Sequence, residues 1–166
     1  MDLTVAVHLR VAAHFYTRAM ILMKHQNYSE ANKSLEKVME EAVAAFSHIT
    51  VLPSGRPKTD LLKDASRAQQ FVILAEIATN SYDHSSNEIV PFARLEDDTK
   101  LMIYDLVDNA VGQIQRFQDR NPSEGYCGGG QRRKIMEALL QADFSDFGKD
   151  GLLYDLLSEG AGYWGF

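Results

Sequence analysis

Hydrophobic residues recur along this chain with the period of an α-helix, over about five separate stretches. In the first stretch, residues 3–23, apolar side chains point in nearly every direction around the helical axis. A helix with this pattern is normally covered by neighbours on several sides. The pattern therefore predicts a buried first helix that forms the central rod of a helical domain and ends near residues 25–27.

Three further stretches show the single apolar stripe of an amphipathic helix. They begin near Ser29, Thr59 and Asp97, at residues that can cap a helix N-terminus. The stripes predicted to face the core are Leu35, Val38, Met39, Ala42, Val43, Phe46 and Ile49 in the second helix, Leu61, Ala65, Ala68, Val72 and Ala75 in the third, and Ile103, Val107, Ala110, Ile114 and Phe117 in the fourth.

A fifth, shorter helix is predicted over residues 131–142, and no stretch shows the alternation of a long strand. After it, acidic and aromatic side chains are interspersed, and glycines recur near the end of the sequence. We predict an all-α protein, an antiparallel bundle of about five helices. One domain is expected over residues 1–158, followed by an irregular aromatic C-terminal tail over residues 159–166. The inward residues of the fifth helix are expected to be Ile135, Met136, Leu139 and Leu140.

The overall composition limits the classes of partner. The chain has 166 residues, 45% of them hydrophobic, and a formal net charge of −6, which suits one soluble domain. An acidic protein lacks the positive field that broad binding to nucleic acid or to an anionic membrane requires. Because His8, Arg10 and His14 interrupt the first apolar stretch, we expect neither a signal peptide nor a membrane span. These features predict a cytoplasmic protein.

The first candidate site is a row of basic residues on the first helix. Arg10, His14 and Arg18 are spaced four residues apart, which places their side chains on one helix face. On an apolar helix in an acidic protein, such a row must reach water or find anionic partners. We interpret it as a binding surface for an acidic partner or a phosphate. The alternative is pairing within the chain, for which the candidate carboxylates are Asp60, Asp64 and Glu76.

Arg18 also precedes His25 by about two helical turns, so the two residues share a face. This spacing resembles the Arg–His signature of the HEPN family of small helical ribonucleases. The resemblance implies a dimer whose paired arginine and histidine side chains cleave RNA, with the histidine in acid–base chemistry. The residue after the arginine, polar in that family, is Ala19 here.

The second candidate site is a glycine-rich loop, residues 125–130, that leads into the predicted fifth helix. Three cations follow it in the first helical turn, where they oppose the helix dipole, and a bound anion or acidic surface would relieve this. These cations are Arg132, Arg133 and Lys134. Gly125 and Gly130 have the spacing of a phosphate loop, but Gln131 replaces its lysine, so nucleotide triphosphate binding is not expected. The alternative is a flexible loop followed by a solvated basic turn.

Neither a metal nor a cofactor is expected from the motifs of this chain. Cys127 is its only cysteine, which excludes an intrachain disulfide and a cysteine-based zinc site. No histidine follows His84, so Cys127 has no nearby candidate base and no catalytic role is expected for it. His14 and His25 share a helix face, but the sequence has no His-Glu-x-x-His motif and no pair of Glu-x-x-His motifs.

The third candidate site is the acidic and aromatic C-terminal segment. Its last residues include Tyr163, Trp164 and Phe166, and carboxylates precede them. Aromatic side chains of this kind suit docking into a groove with a basic rim. That groove belongs either to another chain or to the chain's own bundle, where the segment would close the core.

Residues 12–38 resemble two kinds of helical hairpin. The pattern consists of Ala12, Phe15, Ala19 and Met23, a turn, and then Tyr28, Ser29, Glu30, Ala31, Asn32, Leu35, Lys37 and Val38. This order is similar to the hairpin of tetratricopeptide repeats, and equally to a hairpin of flagellin-export chaperones. Both resemblances imply protein binding without catalysis. The second also implies an antiparallel bundle that holds an unfolded export substrate against its surface.

These observations favour a non-enzymatic protein-interaction module, such as an adaptor, a chaperone or an inhibitor, that binds a partner protein. The candidate binding residues are Arg10, His14, Arg18, Arg132, Arg133, Lys134, Tyr163, Trp164 and Phe166. Two alternatives stay open. One is a HEPN-like ribonuclease that uses Arg18 and His25, and the other is a self-assembling structural subunit, a homo-oligomer joined through its tail.

Overall fold

A computed structural model describes residues 3–51, 59–83, 85–86, 88–90 and 94–120. This part of the chain is mostly helical, which confirms the all-α prediction. The predicted fifth helix, residues 131–142, and the tail, residues 159–166, lie outside the described residues and stay predictions. The elements are α1 (Leu3–Lys24), α2 (Tyr28–Thr50), α3 (Thr59–Asn80), β1 (Tyr82–Asp83), β2 (Glu88–Ile89) and α4 (Asp97–Arg120).

Helices α1 and α2 form an antiparallel hairpin. Apart from Met20 and Ser34, their buried residues recur at alternating intervals of four and three, the spacing of the contact positions in a coiled coil. Because many of these residues are alanines, the two helical axes can approach closely. The contact positions are Val5, Leu9, Ala12, Tyr16 and Ala19 in α1, and Ala31, Leu35, Val38, Ala42, Ala45 and Ile49 in α2.

The turn between α1 and α2 fixes the end of the first helix. Gln26 has a φ of 60°, in the left-handed region that glycine usually occupies after a helix. The backbone N–H of Asn27 donates to the Leu22 carbonyl at 2.8 Å, and that of Gln26 donates to the Met23 carbonyl at 3.0 Å. These two bonds satisfy the last carbonyls of α1, and α2 then begins at Tyr28, one residue before its predicted start.

Helix α3 is the central helix of the described fold. It contacts α1, α2 and α4, and most of its circumference is buried. Three alanines of its predicted core stripe, Ala65, Ala68 and Ala75, are at most 2% exposed. The other buried side chains of α3 are Phe71, Ile73, Leu74, Ile77 and Ala78, together with the polar residues Asp64, Ser66, Gln69 and Gln70.

The prediction that the first helix is buried on nearly all sides, as a central rod, is wrong. The exposed fractions of Leu3, Val7 and Ile21 are 80%, 53% and 53%. Helix α1 packs through one stripe of buried residues, which contacts α2 and α3. The distribution of apolar residues around a helical axis does not show which of them contact another helix. The sequence pattern therefore overestimated the burial of α1.

The stripe predicted for α2 is rotated from the observed one. Val43 was expected in the core and is 48% exposed, whereas Ala31 and Ala45 are fully buried. Hydrophobicity alone favours valine over alanine. A close helix contact reverses this preference at some positions, because small side chains are favoured where the two backbones approach most closely.

Helix α4 packs against α3 and completes the described helical core. Its predicted stripe is confirmed, because each member is at most 2% exposed. These residues are Ile103, Val107, Ala110, Ile114 and Phe117.

A two-residue antiparallel hairpin lies between α3 and α4, with Tyr82 paired to Ile89 and Asp83 paired to Glu88. Helix α3 ends at Asn80, and Tyr82 already belongs to this hairpin. The ring of Tyr82 stacks on that of Tyr28 with centroids 4.1 Å apart. This contact fixes the hairpin beside the start of α2.

The one-sided packing of α1 can be tested with two neighbouring valines. We expect Val5→Ala, at a fully buried position, to lower the free energy of unfolding by about 2 kcal/mol. Val7→Ala, at a position 53% exposed, should change it by less than about 0.5 kcal/mol. Urea denaturation followed by circular dichroism measures both values. An equal loss at the two positions would contradict an exposed α1 face.

Candidate functional site

The exposed face of α1 combines apolar and cationic side chains. Leu3, Val7, Arg10, His14, Arg18 and Ile21 follow one another at intervals of three or four residues, so they form one row, which we call the α1 stripe. All six are exposed. The predicted basic row therefore lies on the surface, with large apolar residues at both of its ends.

The arginines of the α1 stripe form no ion pair with a described carboxylate. Glu76, one candidate partner, instead accepts a hydrogen bond from the Asn80 side chain at 3.2 Å. Asp64 is buried in α3, and the side chain of Asp60 lies outside the described residues. Among the described residues, the intrachain pairing considered as an alternative is not found.

Two carboxylates of α2, Glu41 and Glu30, pair with other residues of the hairpin. Glu41 Oε2 lies 2.6 Å from His8 Nδ1, and Glu41 Oε1 lies 3.2 Å from Lys37 Nζ. The pKa of Glu41 is held below its ordinary value, chiefly by the hydrogen bond with His8 and also by Lys37, although burial opposes this shift. Glu30 pairs with Lys33 in the same helix. Because these carboxylates already have partners, they do not pair with the cations of the α1 stripe.

Arg18 and His25, the pair of the ribonuclease alternative, are both exposed. His25 directly follows α1, and its backbone N–H donates to the Ile21 carbonyl at 3.2 Å, so helical hydrogen bonding extends to this residue. The two positions therefore share a face, as the spacing predicts. The structure pairs neither residue with a described carboxylate.

The other predicted binding residues lie outside the described residues and stay predictions, as does Cys127 in the glycine-rich loop. They are Arg132, Arg133, Lys134, Tyr163, Trp164 and Phe166.

The structure also contains a groove that the sequence did not indicate. It has a volume of about 300 Å³ and lies between α2, α3 and α4. Gln69 Nε2 donates to Gln113 Oε1 at 2.8 Å within it, which links α3 to α4. The lining residues are Val43, Phe46, Ser47, Gln69, Val72, Leu106, Asn109, Ala110 and Gln113. We call it the α2–α4 groove.

Two glutamines in the sequence are consistent with the α2–α4 groove, but they do not predict it without the structure. Gln69 and Gln113 stand next to core positions of their helices, Ala68 and Ile114. A glutamine at such a position needs a hydrogen-bond partner. The sequence does not tell which polar residue of another helix supplies it.

No group of three histidine, cysteine, aspartate or glutamate side chains in the described residues is arranged to hold a metal ion. Among the described helices, none combines the length and the apolar content needed to cross a bilayer. Comparison with protein-family models, curated proteins and solved structures gives no match.

The link between α1 and α2 through Glu41 predicts a pH-dependent contribution to stability. Its pKa is lower in the folded protein than in the unfolded chain. The carboxylate therefore stabilises the fold above the unfolded pKa of about 4.3, and this contribution is lost as the pH falls through the folded value. We expect Glu41→Gln to cost about 1 kcal/mol at neutral pH and to have little effect below the folded pKa.

The matched control is Glu40→Gln, since the Glu40 side chain is 69% exposed and lies 3.5 Å from Lys37 Nζ. It should change the free energy of unfolding by less than about 0.5 kcal/mol. Denaturant titrations of the three proteins between neutral and acidic pH provide the comparison. A pH-independent effect of Glu41→Gln would contradict the assignment.

Proposed function

We propose that this protein is a non-enzymatic interaction module that binds an acidic, amphipathic helix of a partner protein along the α1 stripe. The observation that carries the proposal is the arrangement of that stripe. Cations without a described ion pair lie in its centre, and exposed apolar side chains lie at both ends. Single exposed apolar residues are ordinary on protein surfaces, but here three of them continue one cationic row.

Each part of the α1 stripe has a separate role in this proposal. Leu3, Val7 and Ile21 would be removed from water by apolar residues of the partner, which supplies the main driving force. Arg10 and Arg18 would pair with its carboxylates and fix its register. Because the whole chain carries a net charge of −6, this local positive charge also selects where an acidic partner binds.

A second copy of the chain is a poor occupant of the same surface. Two α1 stripes placed antiparallel would bring the arginines of each copy close to those of the other, and like charges in contact are unfavourable. An acidic helix with apolar ends has no such conflict. The resemblance of residues 12–38 to protein-binding hairpins supports the same kind of function, because these residues build most of the α1–α2 hairpin.

Charge reversal provides a direct test. The probe is a synthetic helical peptide of about 22 residues, long enough to follow α1 over ~33 Å, with leucines at both ends and glutamates in the middle of one face. We expect a dissociation constant on the order of 10 μM by isothermal titration calorimetry. Arg10→Glu with Arg18→Glu should weaken binding at least about tenfold, and added salt should weaken it as well.

Two controls separate the α1 stripe from general electrostatics. Arg67→Glu with Arg116→Glu makes the same charge change at exposed arginines outside α1, and it should leave the affinity within about twofold. A peptide with glutamine in place of glutamate should bind the wild-type protein weakly. Equal losses in the two double variants would overturn the proposal, and so would tight binding of an RNA oligonucleotide instead of the peptide.

The ribonuclease alternative has one observation in its favour, since Arg18 and His25 are both exposed and share a face. It additionally needs two copies whose Arg–His pairs meet. Under the interaction proposal, we expect no cleavage of single-stranded RNA above that of an Arg18→Ala, His25→Ala variant. A fluorogenic RNA assay measures this difference. Cleavage by the wild-type protein that the double variant lacks would replace the interaction proposal with the ribonuclease.

The proposal keeps the finer architecture expected from the sequence, a bundle of about five helices with an aromatic tail. Self-assembly through residues 159–166 remains a separate prediction, because those residues lie outside the described part of the chain.

A further inference from the structure

The α2–α4 groove differs from the α1 stripe in its chemistry. Its lining holds apolar side chains and neutral polar groups and no charged residue. Val43, at its edge, is 48% exposed, although the sequence pattern assigns it to a core stripe. A volume of about 300 Å³ has room for roughly two benzene-sized groups, since ~150 Å³ holds one. The groove therefore suits a few apolar side chains from a neutral helix face.

We propose that residues 131–142 of the same chain fill this groove as a helix that runs antiparallel to α4. The apolar residues of this segment are Ile135, Met136, Leu139 and Leu140. At 100° per residue, positions i, i+1, i+4 and i+5 fall on one face of a helix. That face would enter the groove between α2 and α4. This inference is independent of the α1 stripe and of the proposed function.

The length of the intervening chain fits this placement. On α4, the groove is lined by residues from Leu106 to Gln113. At a rise of 1.5 Å per residue, Gln113 lies ~10 Å before Arg120, the end of the helix. Residues 121–130 can span up to about 33 Å when extended, more than a reversal of direction needs. A helix over residues 131–142 would then extend ~18 Å back along α4 and pass the groove positions.

The charges of the segment fit the same orientation. The start of α2 lies beside the end of α3, where Tyr28 stacks on Tyr82, and α4 begins after the short hairpin that follows α3. Helices α2 and α4 therefore both run back along α3 and end on the side of the bundle where residues 121–130 begin. The C-terminal ends of helices carry partial negative charge. Arg132, Arg133 and Lys134 would lie beside these ends, and Asp119 of α4 is exposed there. These negative groups would offset the unfavourable interaction of the three cations with the N-terminal end of their own helix.

Cysteine accessibility in the full-length protein tests the occupancy. In a Cys127→Ser background, Val43→Cys and Val7→Cys introduce thiols at positions with similar exposed fractions, 48% and 53%. We expect a maleimide to label the first about tenfold more slowly than the second, because a covered thiol reacts slowly. Met136→Asp with Leu139→Asp should raise the Val43→Cys rate to that of Val7→Cys. Equal rates before this change would overturn the proposal.

Disulfide trapping identifies the occupant. In the same Cys127→Ser background, Val43→Cys with Leu139→Cys should give an intramolecular disulfide in most molecules under mild oxidation, since such a bond needs the two Cβ atoms about 3.8 Å apart. The matched control, Val7→Cys with Leu139→Cys, should give none. Mass spectrometry and non-reducing electrophoresis distinguish the products. A disulfide between two chains would assign the groove to a second copy, and no disulfide would leave it to another partner; both results overturn the proposal.

Discussion

Helix α3 buries side chains against three neighbouring helices, and its alanines let those helices come close. Ala65, Ala68, Ala75 and Ala78 are at most 2% exposed, so the α3 backbone itself forms part of the contact surface. Close contacts of this kind leave little tolerance for larger side chains. The positions of α1, α2 and α4 follow from this constraint, because each of them contacts α3.

The same constraint explains the polar groups inside the fold. A helix surrounded by others places some of its polar residues in the interior, where each needs a partner. Gln69 finds one in Gln113 of α4, at 2.8 Å. This bond joins two helices and at the same time places amide groups in the α2–α4 groove. The need of the buried Gln69 for a hydrogen-bond partner therefore determines which polar groups line the α2–α4 groove.

Helix α1 stands at the edge of this arrangement, and that position gives it an exposed face. Its contacts use Val5, Leu9, Ala12, Tyr16 and Ala19, and the ring of Tyr16 meets that of Phe71 edge-on, with centroids 6.1 Å apart. The opposite face has no such contact in the described structure and carries the α1 stripe. One helix thus holds both a structural stripe and the proposed binding surface, on different sides.

The sequence predicted the four described helices, because each has a regular apolar period, and the α4 stripe matches the buried residues. It did not predict which helix is central. In the sequence, α1 is more apolar than α3. Helix α3 contains Asp64, Gln69 and Gln70, polar residues that do not suggest a buried helix, although all three are buried. Burial depends on which helices surround a segment, and only the tertiary arrangement determines that. The basic row of the α1 stripe was predictable from local spacing, whereas the α2–α4 groove needed three helices in place.

The α1 stripe and the α2–α4 groove differ in charge, and each disfavours the segment that is proposed to bind the other. An acidic helix placed in the α2–α4 groove would bury carboxylates against valine, phenylalanine and amide side chains, with no cation in the lining. Unpaired buried charge is strongly unfavourable. Residues 131–142, placed on the α1 stripe, would bring Arg132 and Arg133 to a surface that already holds Arg10 and Arg18. Like charges oppose that contact, so charge would direct the two proposed occupants to different surfaces.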